Sequence, residues 1–415
     1  MTQDILRRIL DPASRPNPYP LYAELRRTPV YHAGEGPYAI SHYHDILSLL
    51  HDPRLSSDTR NRTAEADDPL AGADEDEGTT LPPGFLRLDP PEHDRLRRMT
   101  NRPFGPPHSP HRIESLRPEL ETIVKDLIDG IGDPTEVDLV EQFSYPFPVT
   151  VICRLLGVPH EDEPRFHVWA ETLAASLDPA PDSDTAEQAK VMRSTRMELG
   201  MYLAGLIEER RKKPGDDMLS QLAAGSGGTG EEGPMSTMEL LSTAALLLVA
   251  GHETTVNLIT NGMLTLLRHP EVLKDLRANP ALSVPLVEEL LRYEPPVQFL
   301  SNRTALADIE VRGVTIPKGS ALWLVVASGN RDPDRFPDPD RFDPYRKDIQ
   351  HLGLGSGIHS CFGAPMARLE AQLALSELAR RLENPRLVED PPPYRRNAVL
   401  RGPRSLRVTC DGILP

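Results

Sequence analysis

Cysteine is nearly missing from this 415-residue sequence. Cys153, Cys361 and Cys410 are odd in number, far apart, and form no C-x-x-C pair. That excludes a disulfide framework, a zinc ribbon and an iron–sulfur cluster, and fits a reducing compartment. Long apolar runs are missing too: the longest, around Ala244 to Ala250, is far short of the ~20 residues that span a bilayer. The opening "MTQDILRRILDPASRPNPYP" has no signal-peptide core, so a cytoplasmic protein with no membrane partner is expected. Positive charge is in deficit, with 46 Lys and Arg against 62 Asp and Glu and a net charge of -16. The chain as a whole has no attraction for nucleic acid. No internal repeat is visible.

What is present reads as a mainly helical protein with small β-sheets, an α+β chain. The length is ample for a large core, and 39% hydrophobic with 26% charged residues is ordinary for a globular enzyme. Two stretches read as loops, Arg62 to Gly84 and Gly225 to Pro234, but helical patterns resume on both sides of each, so neither divides the chain into domains. Ile113, Leu116, Leu120, Ile123, Val124, Leu127 and Ile128 keep the spacing of an amphipathic helix, with Pro118 near its start. Similar patterns cover Met197 to Arg210 and Met366 to Leu382. Strand-like text is confined to "PYAIS", to "IEVRGVTIPKGSALWLVVAS" from Ile309, and to "LRVT" near the end.

"STME" at Ser236 to Glu239 is a capping box, and the pattern behind it runs to His269 before Pro270. A helix of roughly 45 to 50 Å follows from a 1.5 Å rise. Ala244 to Ala250 is apolar on every face and is expected to be buried. The polar run Gly251, His252, Glu253, Thr254, Thr255 and Asn257 follows inside the same helix. A buried polar cluster costs several kcal/mol unless paired, so it is either a satisfied network or a working site. A local bulge there would open a groove for a ligand.

Cys361 lies in "GLGSGIHSCFGAP". Three roles compete: a structural thiol, a nucleophile activated by His359, and a metal ligand. Neighbours two apart in a tight loop are poorly placed as nucleophile and base. Pro365 opens the following helix, whose N-terminal dipole stabilises a thiolate in the loop before it, and Gly355, Gly357 and Gly363 leave room for a flat macrocycle. The local text therefore favours the ligand.

This stretch closely resembles the heme-binding loop of the cytochrome P450 family, in which a cysteine thiolate is the axial iron ligand. Gly357, His359, Cys361 and Gly363 match that pattern, while Leu354 stands where the family usually has phenylalanine. "EELLRYEPP" supplies Glu289 and Arg292 at the family's Glu-x-x-Arg spacing, and "PDRF" supplies Arg341, which in the family completes their ion network. "AGHETT" resembles the oxygen-activation motif, with Glu253 as acid and Thr254 as alcohol. "HDRLRR" resembles the helix whose His93 and Arg97 hold heme propionates, a role that Arg303 and His359 also fit.

The resemblance spans nearly the whole chain. It implies the single cytochrome P450 fold over residues 1–415, a β-rich N-terminal part with a larger helical part and no fused reductase. The cofactor implied is heme b (iron protoporphyrin IX) between the long helix and the cysteine loop. The activity implied is a monooxygenase that inserts one oxygen atom of dioxygen into a mostly hydrophobic small molecule, with electrons from a separate ferredoxin and its reductase. By family position the substrate pocket draws on Phe85, Leu86, Leu173, Leu177, Leu247, Ala250, Val297, Phe299 and Leu400, with His252 as a polar contact. Arg95, Arg98 and Arg102, together with Arg346 and Lys347, suggest a basic docking face for the ferredoxin. The abundance of Arg, Pro and Ala resembles bacterial natural-product enzymes. Two alternatives stay open: a peroxide-using relative, against which Glu253 and Thr254 argue, and a heme-thiolate sensor or carrier without turnover.

Overall fold

A computed structural model describes residues 4–34, 36–61, 83–104, 111–133, 135–176, 185–224 and 233–415. Its contacts divide the chain into two compact units that interleave in sequence. The first comprises Met1–Gly72, Val124–Ser144 and Thr254–Pro415, the second Ala73–Ile123 and Tyr145–Glu253. The division thus follows neither an N-terminal and C-terminal split nor the predicted loops, of which 62–82 and 225–232 lie outside the described residues. The boundary falls inside the long helix, Thr237–Arg268, between Glu253 and Thr254.

The first unit holds a five-stranded sheet in the order Val30–Tyr31, Tyr38–Ile40, Ala321–Leu324, Leu300–Ala305, Leu55–Ser56. Tyr38–Ile40 pairs in parallel with Ala321–Leu324, and the other pairs are antiparallel. "ALWLVV" is apolar throughout because both faces of this central strand are covered. Leu322 and Leu324 join Ile40, Ile46 and Phe336 on one side, while Trp323 and Val325 join Ala39, Tyr22 and Phe299 on the other. Strand alternation separates the two sets. The predicted text from Ile309 also forms a hairpin, Ile309–Val311 with Val314–Ile316, turned through Arg312 and Gly313 at φ 50° and 78°.

Three helices of this unit meet at Gly262. A Cβ there would sit 3.0 Å from both Leu290 Cδ1 of Ser283–Tyr293 and Leu375 Cδ1 of Ala364–Arg381, so glycine is what allows the long helix to approach its neighbours this closely. The chain ends are tied together by buried Arg401, which pairs with Glu294 and donates from Nε to Arg15 O (2.7 Å) and from Nη2 to Pro16 O (3.0 Å).

The second unit is helical. Pro146–Leu156, Glu163–Ser176, Thr185–Lys212 and Met218–Ala223 pack in succession. Phe166, Trp169 and Tyr202 form an edge-packed aromatic cluster with Arg165 against it. The helix expected around Pro118 starts at Arg117, after a separate short turn Arg112–Ser115, because proline is tolerated in a first turn and not in an interior. No helix among the described residues is long and apolar enough to cross a membrane.

Candidate active site

The long helix is capped as the sequence predicts: Ser236 N donates to Glu239 Oε2 (2.8 Å) and Glu239 N to Ser236 Oγ (3.2 Å). At 32 residues it is about 48 Å long. The stretch Ala244 to Ala250 is not buried throughout. Between 244 and 266, partial exposure is confined to 245, 246, 249, 250, 251 and 254, with Ala250 exposed outright. Residues four apart share a helix face, so Leu246, Ala250 and Thr254 mark one accessible stripe on an otherwise enclosed helix. Thr254 stands at its polar end. Glu253 beside it is buried.

His252 does not share that stripe. It is 1% exposed, with its ring edge-on to Tyr145 at 4.6 Å between centroids. Two positions along a helix turn a side chain to the far side, so the residue expected as a polar contact points away from the stripe. Phe299, also expected in the pocket, packs inward. It is a core residue, 1% exposed, against Tyr22 and Trp323. Of the other expected pocket residues, Phe85, Leu173 and Leu247 are buried, Leu86 is exposed, Val297 and Leu400 pair across an isolated bridge, and Leu177 lies outside the described residues.

Cys361 has an exposed thiol immediately before the 18-residue helix Ala364–Arg381. Its loop is wound tightly: Cys361 N donates to Leu354 O (2.8 Å), Gly355 and Gly357 have φ of 67° and 68°, and His359 ends the short turn Gly357–His359. Gly357 is required twice over, since a Cβ there would also lie 2.1 Å from Leu50 O. Nothing lies within 4 Å of a Cβ built at Gly363. Cys153 and Cys410 are buried; burial, and then Glu163, push the Cys153 thiol up to about 12. A cavity of about 800 Å³ opens beside the loop, lined by Cys361, Leu354, Lys347, His351, Glu288 and Arg368 among others. Against the upward pull of its own burial, hydrogen bonds from Arg368 and His351 hold Glu288 down at about 2. Arg368, raised chiefly by its hydrogen bond to Glu288, also feels the charge of Cys361, a cation that favours thiolate.

The Glu-x-x-Arg pair is wholly enclosed. Arg292 binds Glu289 through two 2.8 Å hydrogen bonds, and both side chains are 0% exposed. Arg341 does not complete the pair as the sequence suggests. Its side chain is 68% exposed beside Asp343, and only its backbone carbonyl accepts from Arg292 (3.0 Å). The second cation is Arg346, 3.6 Å from Glu289 and bonded to the carbonyls of Pro337, Asp338 and Arg341. Sequence spacing gave no sign of this substitution, and it removes Arg346 from the basic docking group. Arg95 is also engaged, with Glu239.

Arg303 is buried in Leu300–Ala305 opposite Leu322, a strand the sequence reading missed. In the second unit, His93 is 1% exposed with Nδ1 2.8 Å from Asp94, and Arg97 is half-buried on the same helix, Glu92–Phe104.

Glu370 was not singled out in sequence. It lies in Ala364–Arg381, 4% exposed, and its Oε2 has no hydrogen-bond partner among the described residues. Burial raises its carboxyl well above the ordinary range. The folded protein therefore keeps a proton that the unfolded chain releases near pH 4.3, and stability falls as pH rises from there through the folded pKa, by about 1.4 kcal/mol per pH unit. Glu370→Gln is expected to remove that slope. Denaturant unfolding of both proteins between pH 5 and 8 checks this, and a stability gap that stays constant with pH contradicts it.

The family model described as Cytochrome P450 matches residues 58–281 and 284–410. The chain is 40% identical to Cytochrome P450 monooxygenase PikC of Streptomyces venezuelae over 94% of its length and 91% of that protein. It is 39% identical to Vitamin D(3) 25-hydroxylase of Pseudonocardia autotrophica over 95% and 94%. The ligand-free crystal structure of Mycobacterium smegmatis CYP164A2 superposes with a TM-score of 0.85 at 40% identity, covering 98% of this chain and 99% of that one. With the family model spanning most of the sequence and the fold shared from end to end, this chain belongs to the cytochrome P450 family and is an oxidoreductase of that family.

Proposed function

We propose that the protein is a heme-thiolate monooxygenase that hydroxylates or epoxidises a mostly hydrophobic small molecule, with Cys361 as the axial ligand of heme b. The exposed Cys361 thiol at the start of a long helix, beside the cation of Arg368, carries this reading. The residues present fit the group. Gly363 leaves open space where any side chain would stand against a flat macrocycle, and Arg303 offers a buried cation suited to a propionate. His359, in the same unit, would hold the propionates with it. When bound, the heme supplies an iron centre that activates dioxygen with two electrons.

The chain's own work is to position and to deliver protons. The dipole of Ala364–Arg381 and the cation of Arg368 favour a thiolate at Cys361. Thr254 offers its hydroxyl on the accessible stripe of the long helix, and buried Glu253 stands next to it as the proton source. Apolar Leu246 and Ala250 on the same stripe suit a hydrophobic substrate. The relative named for vitamin D(3) hydroxylation supports a bulky substrate of steroid-like type. A ferredoxin is the proposed electron donor, docking at the Cys361 face near Lys347.

Thr254→Ala tests the proton route. Fold, heme content and substrate binding are expected to stay, while product formed per reduced cofactor oxidised falls about tenfold or more. The difference should emerge as hydrogen peroxide. Equal yields in the two proteins would show Thr254 to be structural.

A further inference from the structure

We propose that His42, Asp332 and Asp334 form a binding site for a divalent transition-metal ion, separate from the heme site. Each offers one ligand atom, and the three atoms lie within 4.8 Å of one another. His42 is 9% exposed and its Nδ1 has no hydrogen-bond partner among the described residues. A nearly enclosed imidazole nitrogen left unmatched is uncommon, because the lost hydrogen bond is a real cost. Asp332 is buried and held in place: Oδ2 accepts from Tyr43 N (2.9 Å) and Oδ1 from Asp334 N (3.1 Å). Each oxygen keeps a further lone pair. Asp334 is exposed, so its side chain is free to swing inward.

One imidazole and two carboxylates suit zinc, cobalt or manganese better than calcium or magnesium, which favour oxygen alone. Three protein ligands with a water as the fourth is an ordinary zinc set. Tetrahedral zinc with bonds of about 2.0 Å needs ligand atoms roughly 3.3 Å apart, so the 4.8 Å cluster has to close by about 1.5 Å. Two charges oppose a cation, the positive end of the helix Tyr43–Leu50 and Arg26. Asp332 caps the first, and Arg26 donates to Ser328 O and Oγ at 3.1 Å rather than to either carboxylate.

The position gives the ion a structural consequence. The helix that begins beside His42 ends against the cysteine loop, where Leu50 O abuts Gly357 and His51 Nε2 lies 2.8 Å from Ser356 Oγ. The segment leading to Asp332 also reaches that loop, through Asn330 Oδ1 accepting from Leu352 N (2.7 Å). An ion clamping 42 to 332 and 334 therefore braces both supports of the Cys361 loop.

The test uses heme-loaded protein dialysed first against EDTA and then against zinc chloride. Bound zinc per chain is counted for the wild type, Asp334→Asn and His42→Gln, and thermal unfolding is followed at the heme band. The wild type is expected to hold one zinc more than either variant and to gain about 3 °C with zinc, a gain that both variants lose. Asp334→Asn alters an exposed side chain, so an intact heme spectrum verifies its fold and keeps the comparison decisive if His42→Gln misfolds. Equal zinc counts in wild type and Asp334→Asn would mean adventitious binding to surface histidines and would overturn the site, as would a zinc count in wild type that brings no thermal gain.

Discussion

Cys361→Ser is expected to abolish the strongly red-shifted Soret band of the reduced carbon-monoxide complex and, with it, turnover. Three features converge on this sulfur. It is exposed while the other two thiols are buried, and it precedes the positive end of an 18-residue helix. Arg368 adds a cation whose own carboxylate partner, Glu288, stays ionised down to about pH 2. Serine matches the size of cysteine but not its chemistry, since an alkoxide is inaccessible at neutral pH and a neutral hydroxyl pushes little electron density onto iron. Heme content and far-UV dichroism are measured alongside the spectrum, so that loss of the band is separated from loss of the fold. A variant that keeps heme and shows an unchanged band would remove Cys361 from the iron.

Glu289→Ala is expected to cost about 3–5 kcal/mol, enough to prevent accumulation of folded protein. All five N–H donors of Arg292 are engaged, two on Glu289 and the others on the carbonyls of Asn330, Pro339 and Arg341 at 2.8–3.0 Å. Glu289 also accepts from Asp343 N at 2.8 Å. Removing the carboxylate leaves a guanidinium at 0% exposure without its counter-charge and releases the 330–343 segment from the helix. The sharper comparison is with Glu289→Leu combined with Arg292→Met. Deleting both charges avoids stranding either, so the double variant should be more stable than Glu289→Ala. Chemical denaturation of soluble fractions measures both. A double variant at least as unstable as the single one would mean that the hydrogen bonds to the segment, rather than the charge balance, hold it in place.

Features that depend on neighbours along the chain are legible before any folding is known. The capping box at Ser236 and Glu239, the length of the helix behind it and the stop at Pro270 are local consequences of hydrogen bonding and proline geometry. The cysteine loop was legible for the same reason. Its glycines sit at backbone angles that side chains disfavour, and its helix dipole acts over one turn. The Glu289 and Arg292 pair is three residues apart on one helix face.

Tertiary structure decided everything that depends on which distant surfaces meet. Only packing turned His252 toward Tyr145 and left Ala250 and Thr254 on the accessible stripe, because an apolar run carries no mark of which face stays open. Packing sent Phe299 into the core beside Trp323, exchanged Arg341 for Arg346 beside Glu289, and buried Arg303 in a strand whose polar text does not alternate. It also brought His42 to Asp332 from 290 positions away along the chain. A side chain's local preference is worth tenths of a kcal/mol, whereas burying or pairing it is worth several. Where the two conflict, the fold sets the outcome.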